Sequence, residues 1–128
     1  MVEILQDFEP FFGHSKTNIS ETGAFHYLRK LGVIDIGSNS VRMVIFDGAA
    51  RSPAYFFNEK ILCGLGSGLA HSGKLHAKGK LRAISAIERF VNLAQAMEVP
   101  QLTLIATAAV RSASDGLLFC DEISETFR

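Results

Sequence analysis

The chain has 128 residues, room for one modest domain with its own core. Hydrophobic residues make up 48%, charged residues 20%, and the formal net charge is zero, so no overall field draws in nucleic acid or an anionic membrane. The two cysteines, Cys63 and Cys120, are too few and too far apart for a disulfide framework or a zinc site, and they read as buried thiols of a cytoplasmic protein.

Residues 1–31 show no clear period. Phe8, Phe11, Phe12 and Phe25 are scattered among Gly, Ser, Thr, Asn and charges, which reads as a flexible or loosely docked leader set apart from a functional domain over 32–128. Glu3, Asp7 and Glu9 do not fit the basic-then-apolar design of a secretory signal, and no apolar run approaches the roughly 20 residues that cross a bilayer. Val33-Ile34-Asp35-Ile36 is a short apolar strand, and Val41 to Phe46 a second, with Gly37 to Ser40 as the turn. Asp47-Gly48 signals another turn, after which Ala54 to Leu62 reads as a third strand of an antiparallel meander.

A glycine-rich loop follows, Cys63-Gly64-Leu65-Gly66-Ser67-Gly68-Leu69, running to Gly73. From about His76 to Glu98 the period switches to 3.6, with Leu81, Ile84, Ile87, Val91 and Ala94 as the expected apolar stripe of a helix that Pro100 ends. Leu102 to Thr107 is a fourth strand, apolar on both faces as a strand entering a parallel position would be. Ala108 to Arg128 is helical in character, with Leu117, Leu118, Ile123 and Phe127 as the apolar side and Ser114 or Asp115 as N-cap. The order β-β-β-α-β-α gives an α/β domain on a mixed sheet, with strand four at an edge. An apolar edge strand calls for cover, either a fifth strand or a partner such as a second copy.

Three loops could carry chemistry. The turn Asp35-Ile36-Gly37-Ser38-Asn39-Ser40 can gather backbone N–H groups into a nest that suits a phosphate, with small polar side chains adding donors. A plain hairpin turn would use similar residues. Asp35, however, is an ionisable group inside an apolar strand, costly there unless paired or metal-bound, and could hold Mg²⁺ directly or through water. The Gly64-x-Gly66-x-Gly68 loop is neither a dinucleotide fingerprint nor a P-loop, and two readings stand: a flexible connection, or a backbone that approaches a ligand. In Ala106-Thr107-Ala108-Ala109-Val110-Arg111, a strand end leads to an arginine suited to forked contact with phosphate oxygens.

Together these segments resemble the N-terminal part of the exopolyphosphatase and guanosine-pentaphosphate phosphohydrolase (Ppx/GppA) family, of the actin-like ATPase, ribonuclease H-like fold. The matching pieces are Gly32 to Arg42, Asn58-Glu59-Lys60 leading into Cys63 to Gly66, and Ala106 to Arg111, in family order across residues 32–128. The resemblance implies a two-domain hydrolase that uses Mg²⁺ to release terminal phosphate from inorganic polyphosphate, or the 5′ γ-phosphate of pppGpp. By the same resemblance Gly37, Ser38, Asn39, Ser40 and Arg111 bind phosphate and Asp35 lies near the metal.

The family's expected general base belongs to a Ser-Gly-x-Glu-Glu-Ala segment after the second helix, and the sequence to Arg128 does not contain it. Glu122 and Glu125 do not match that motif. No catalytic base is therefore assigned, and the expectation is a domain truncated before its fifth strand and second half, inactive alone. The rival is a non-catalytic remnant or phosphate-binding module; a kinase or ATPase of the same superfold fits the motifs less well. The long helix opens His76-Ala77-Lys78-Gly79-Lys80-Leu81-Arg82, against dipole and propensity. Those lysines, with Lys74 and Arg82, read either as a basic patch guiding a polyanion or as drifted, solvated surface.

Overall fold

The computed structural model describes residues 30–47 and 54–127. The leader reading for residues 1–29 and the turn expected at Gly48 lie outside the described residues. The first strand, β1 (Leu31–Ile36), begins two residues ahead of the expected start at Val33 and alternates, with Gly32, Ile34 and Ile36 buried and Asp35 exposed. β2 (Ser40–Asp47) pairs antiparallel with β1, Ile36 opposite Val41, and β3 (Ala54–Leu62) pairs antiparallel with β2, Val44 opposite Asn58. β4 (Gln101–Ala106) lies parallel to β1, Ile36 level with Ala106. The sheet order is β3-β2-β1-β4, so the sheet is mixed and β4 takes the edge, as the sequence implies.

The helical part is more broken than the expected two helices. α1 (Leu69–Ser72) is a single turn inside the glycine-rich loop, bounded by Gly68 and Gly73 in the left-handed conformation, and α2 (Ala77–Ala96) is the long helix. The helix expected after β4 divides into α3 (Ala108–Ser112) and α4 (Gly116–Thr126). The break has a local cause. Ala113 is extended, and Ser114 turns away to donate from both N and Oγ to the Gly73 carbonyl, at 2.8 and 3.0 Å. α4 then starts where Gly116 touches the Val110 carbonyl, with no room for a Cβ.

α2 buries Gly79 against the glycine-rich loop and packs on the sheet through Ala83, Ala86, Ile87, Phe90 and Ala94, against a layer that includes Ile34, Ile36, Val41, Met43 and Ile45. This face differs from the expected stripe. Ile87 and Ala94 belong to both, Ile84 and Val91 are only partly buried, and Leu81 is 69% exposed. The helix comes close enough that small residues occupy its contact line, and hydrophobicity alone does not single them out. α4 departs in the same way, burying Phe119, Cys120 and Ile123 while Leu117 and Leu118 stand 75% and 71% exposed. Arg89 clasps the Glu59 carboxylate through Nε and Nη2 at 3.0 and 3.2 Å and ties α2 to β3. Cys63 and Cys120 are buried free thiols, Cys63 Sγ donating to the Ile61 carbonyl at 3.4 Å, and burial pushes both up from their ordinary range. Among the described residues no helix is long and apolar enough to cross a membrane.

Candidate functional site

The turn between β1 and β2 is closed by the Gly37 N–H donating to the Ser40 carbonyl at 2.9 Å. Gly37 therefore serves the turn itself: its amide is taken, and a Cβ there would stand 3.2 Å from the Ser40 oxygen. The carbonyls of the next two residues point to the glycine-rich loop. Ser38 O accepts from Gly66 N at 2.7 Å, and Asn39 O accepts from both Cys63 N and Gly64 N, at 2.9 and 3.0 Å. In a trans peptide the N–H points opposite its carbonyl, so the Asn39 amide is aimed away from that loop. Among the described residues the Ser38 and Asn39 amides and side chains meet no partner, and both residues are exposed.

Asp35 also lies exposed, on the face of β1 opposite Ile34 and Ile36, with no hydrogen bond or ion pair to a described residue. Its charge is therefore not the costly one expected inside an apolar strand. β1 alternates, and Asp35 falls on the more open face, where water removes the penalty. Its interest lies in its position, one residue before the turn. Among the described residues no three His, Cys, Asp or Glu side chains gather into a metal cage. A lone open carboxylate suits a cation that keeps most of its waters and takes further oxygens from a bound anion, as Mg²⁺ does.

The glycine-rich loop resolves into a support. A Cβ at Gly66 would stand 3.1 Å from the Ser38 Cβ and 3.5 Å from the Ala109 Cβ, so the bare Gly66 backbone is the point where three loops touch. Gly64 holds a left-handed conformation, φ +66°, that glycine adopts without strain. The sequence leaves two readings open for this loop, a flexible connection or a backbone close to a ligand; its close approach is to the Ser38–Asn39 turn and to α3.

At the end of β4, Thr107 donates twice to the Ile36 carbonyl, from N at 3.1 Å and Oγ1 at 3.2 Å. That bond pins the start of α3 beside the β1–β2 turn. Arg111 is exposed and its side chain meets no partner among the described residues. It lies in the last turn of α3, where a cation is favourable by itself. Asp115 occupies the expected N-cap position of α4, but its carboxylate turns elsewhere, accepting from Leu75 N at 2.9 Å and Lys80 Nζ at 3.1 Å. The Leu75 amide first, and the Lys80 ammonium second, hold its carboxyl below the usual range.

The opening of α2 is likewise structural. His76 is its N-cap, Nδ1 accepting from Gly79 N at 3.1 Å, and Arg82 Nε donates to the Cys63 carbonyl at 2.9 Å. Gly79, Lys80 and Arg82 thus have packing and bonding tasks, where the sequence suggested a basic patch or drift. Lys74 and Lys78 remain exposed. Sequence reasoning singled out Asp35, Gly37, Ser38, Asn39, Ser40 and Arg111, of which Gly37 spends its amide on closing the turn, and missed the supporting roles of Gly66, Thr107 and Arg82. The one available signal was a glycine and a run of cations where a helix should open with acidic residues.

A mixed sheet with loops gathered at the ends of two neighbouring parallel strands, β1 and β4, matches the actin-like ATPase fold of the Ppx/GppA structures. The model of the Ppx/GppA phosphatase family matches residues 44–127, and the chain belongs to that family. Exopolyphosphatase 1 of Mycobacterium tuberculosis is 32% identical over 87 residues, 67% of this chain and 25% of that protein. The Mycobacterium leprae protein of the same name is 29% identical over 87 residues. Among solved structures, an exopolyphosphatase from Cytophaga hutchinsonii superposes with a TM-score of 0.71 at 29% identity, over 77% of this chain and 32% of that one. The Aquifex aeolicus member of the Ppx/GppA family gives 0.73 at 22% identity over 77% of this chain and 32% of that one, a likeness of fold. The chain spans about a quarter of the length of the curated relatives it matches.

Proposed function

We propose that the chain forms the phosphate-gripping wall of an exopolyphosphatase-type site, acting on inorganic polyphosphate or on the 5′ γ-phosphate of pppGpp in a cytoplasmic setting. The observation that carries this reading is the three-loop junction at Gly66, where the Ser38 carbonyl is held at 2.7 Å and Asn39 is left with an outward amide. In this role the Ser38 and Asn39 amides, with the side chains of Ser38, Asn39 and Ser40, donate to phosphate oxygens, while Gly37 closes the turn that presents them. The Arg111 guanidinium takes two oxygens in a fork. Asp35 would hold Mg²⁺, which when bound offsets charge on the phosphates.

By itself the 128-residue chain binds phosphate without hydrolysing it. Its sequence contains no Ser-Gly-x-Glu-Glu-Ala segment, and Glu122 and Glu125 lie exposed on α4, a helical setting that does not match the motif. A base and an opposing wall together account for several orders of magnitude in such reactions. Calorimetric titration of the chain with tripolyphosphate and Mg²⁺ tests the binding claim. Asn39→Ala should weaken binding about fivefold and Arg111→Ala about tenfold or more, with melting temperatures unchanged because both residues are exposed. Wild-type affinity in both variants would refute the site. Phosphate release at ordinary enzyme rates, roughly 10 per second, would refute binding without turnover.

A further inference from the structure

The Cys63–Gly64 peptide is bonded at both ends. Its carbonyl accepts from Arg82 Nε at 2.9 Å, and its N–H, on the opposite edge of the same plane, donates to the Asn39 carbonyl at 3.0 Å. Hydrogen bonds in series across a peptide plane polarise one another and fix its orientation. The series runs from α2, through the glycine-rich loop, into the Asn39–Ser40 peptide of the turn. Gly64 permits it: φ is +66°, a left-handed conformation that glycine adopts without strain. The loop has nowhere to retreat on the α2 side, since Gly79 lies so close that a Cβ would be 2.9 Å from both Gly64 O and Leu65 Cα. His76 N–H adds a further bond to Leu65 O, at 2.9 Å.

We propose that Arg82 is a positioning residue for phosphate binding, acting through the Cys63–Gly64 peptide to fix the orientation of Asn39 and Ser40. It does not touch the phosphate. The inference rests on the phosphate-holding role given above to the Ser38–Ser40 turn, and it adds a residue 42 positions beyond Ser40 to the machinery that makes the turn rigid. A helix that opens with cations thereby acquires a reason for one of them: an arginine on the second turn of α2 is needed to hold a carbonyl, whatever its charge does at long range.

The test uses the 128-residue chain with Arg82→Met, which keeps the stem and removes the donor, and Arg82→Lys, which keeps the charge but loses the planar fork. Three quantities are read: amide hydrogen exchange at Gly64 and Gly66, tripolyphosphate affinity in the presence of Mg²⁺, and melting temperature. In Arg82→Met the Gly64 amide should exchange about tenfold faster and affinity should fall about fivefold, with little change in melting because Arg82 is exposed. Arg82→Lys should show both effects in smaller measure. Wild-type exchange and affinity in Arg82→Met would mean that the donor is not needed, and would overturn the proposal. So would an Arg82→Met chain that binds more weakly while Gly64 exchanges normally. If the wild-type chain fails to bind tripolyphosphate, the phosphate role of the turn falls and Arg82's role with it. If wild type binds and Arg82→Met binds equally well, only the positioning role falls.

Discussion

Glu98 carries a backbone conformation that its side chain does not favour, φ +54°. It follows the C-cap of α2, where the Glu98 N–H donates to Gln95 O at 3.0 Å and the Val99 N–H to Ala94 O at 2.9 Å. These are the paired bonds of a Schellman ending, a place usually given to glycine. A residue with a Cβ is disfavoured there by roughly 1–2 kcal/mol, of which the greater freedom of glycine in the unfolded chain would take back about half. Glu98→Gly should therefore raise stability by about 0.5–1 kcal/mol, read as a higher urea midpoint. A lower midpoint would mean that the Glu98 side chain contributes more than the strain costs. At this scale the sequence is most informative where a residue would act through its own chemistry, as Ser38, Asn39 and Arg111 would in the proposed site. It was silent where a residue acts through a distant partner: the Thr107 hydroxyl finds its acceptor at Ile36, 71 positions away.

The strands were legible because β1, β2 and β4 are dense in Val, Ile and Leu between obvious turns, and the parallel placement of β4 followed from the helix that precedes it. The burial of the helices was not. α2 was expected to bury Leu81 and instead buries Gly79, Ala83 and Ala86, since a helix lying close to its neighbours needs small residues along its contact line. Gly79 shows the effect most plainly. On helix propensity, Gly79→Ala should stabilise α2 by about 1 kcal/mol. A Cβ there would meet Gly64 O and Leu65 Cα at 2.9 Å, and both are backbone atoms that cannot swing aside. Overpacking of this kind costs about 1–3 kcal/mol, so the net expectation is a loss of stability, with faster amide exchange in the Gly64–Gly66 loop. A more stable Gly79→Ala chain would show that this loop yields to α2 instead of being held by it.

Across the whole molecule, the opening of α2 stands between the two arms of the proposed site. On one side it grips the Cys63–Gly66 loop that holds Ser38 and Asn39; on the other it grips the α3–α4 junction just past Arg111. The second grip runs through Asp115, whose carboxylate binds Leu75 N and Lys80 Nζ across 40 and 35 positions of sequence. Those two donors hold its carboxyl below the usual range, and the sign of the linkage follows. A carboxyl whose folded pKa is depressed contributes its full stabilisation above the unfolded value of about 4, and loses it as pH falls through the folded value. Asp115→Asn should thus be less stable than wild type at pH 7, by about 1 kcal/mol for a partly exposed pair that shares one backbone donor. The gap should close as pH is lowered below about 4, because a protonated Asp115 is then as neutral as the asparagine. Urea midpoints of both chains at pH 7, 5 and 3 read this directly. A gap that stays constant over that range would mean that the carboxylate's charge is irrelevant and that shape alone joins α4 to the opening of α2. A converging gap carries a further consequence: the arm bearing Arg111 is anchored by a charge, so acid should loosen it while the Gly66–Ser38 contact, made only of peptide groups, persists.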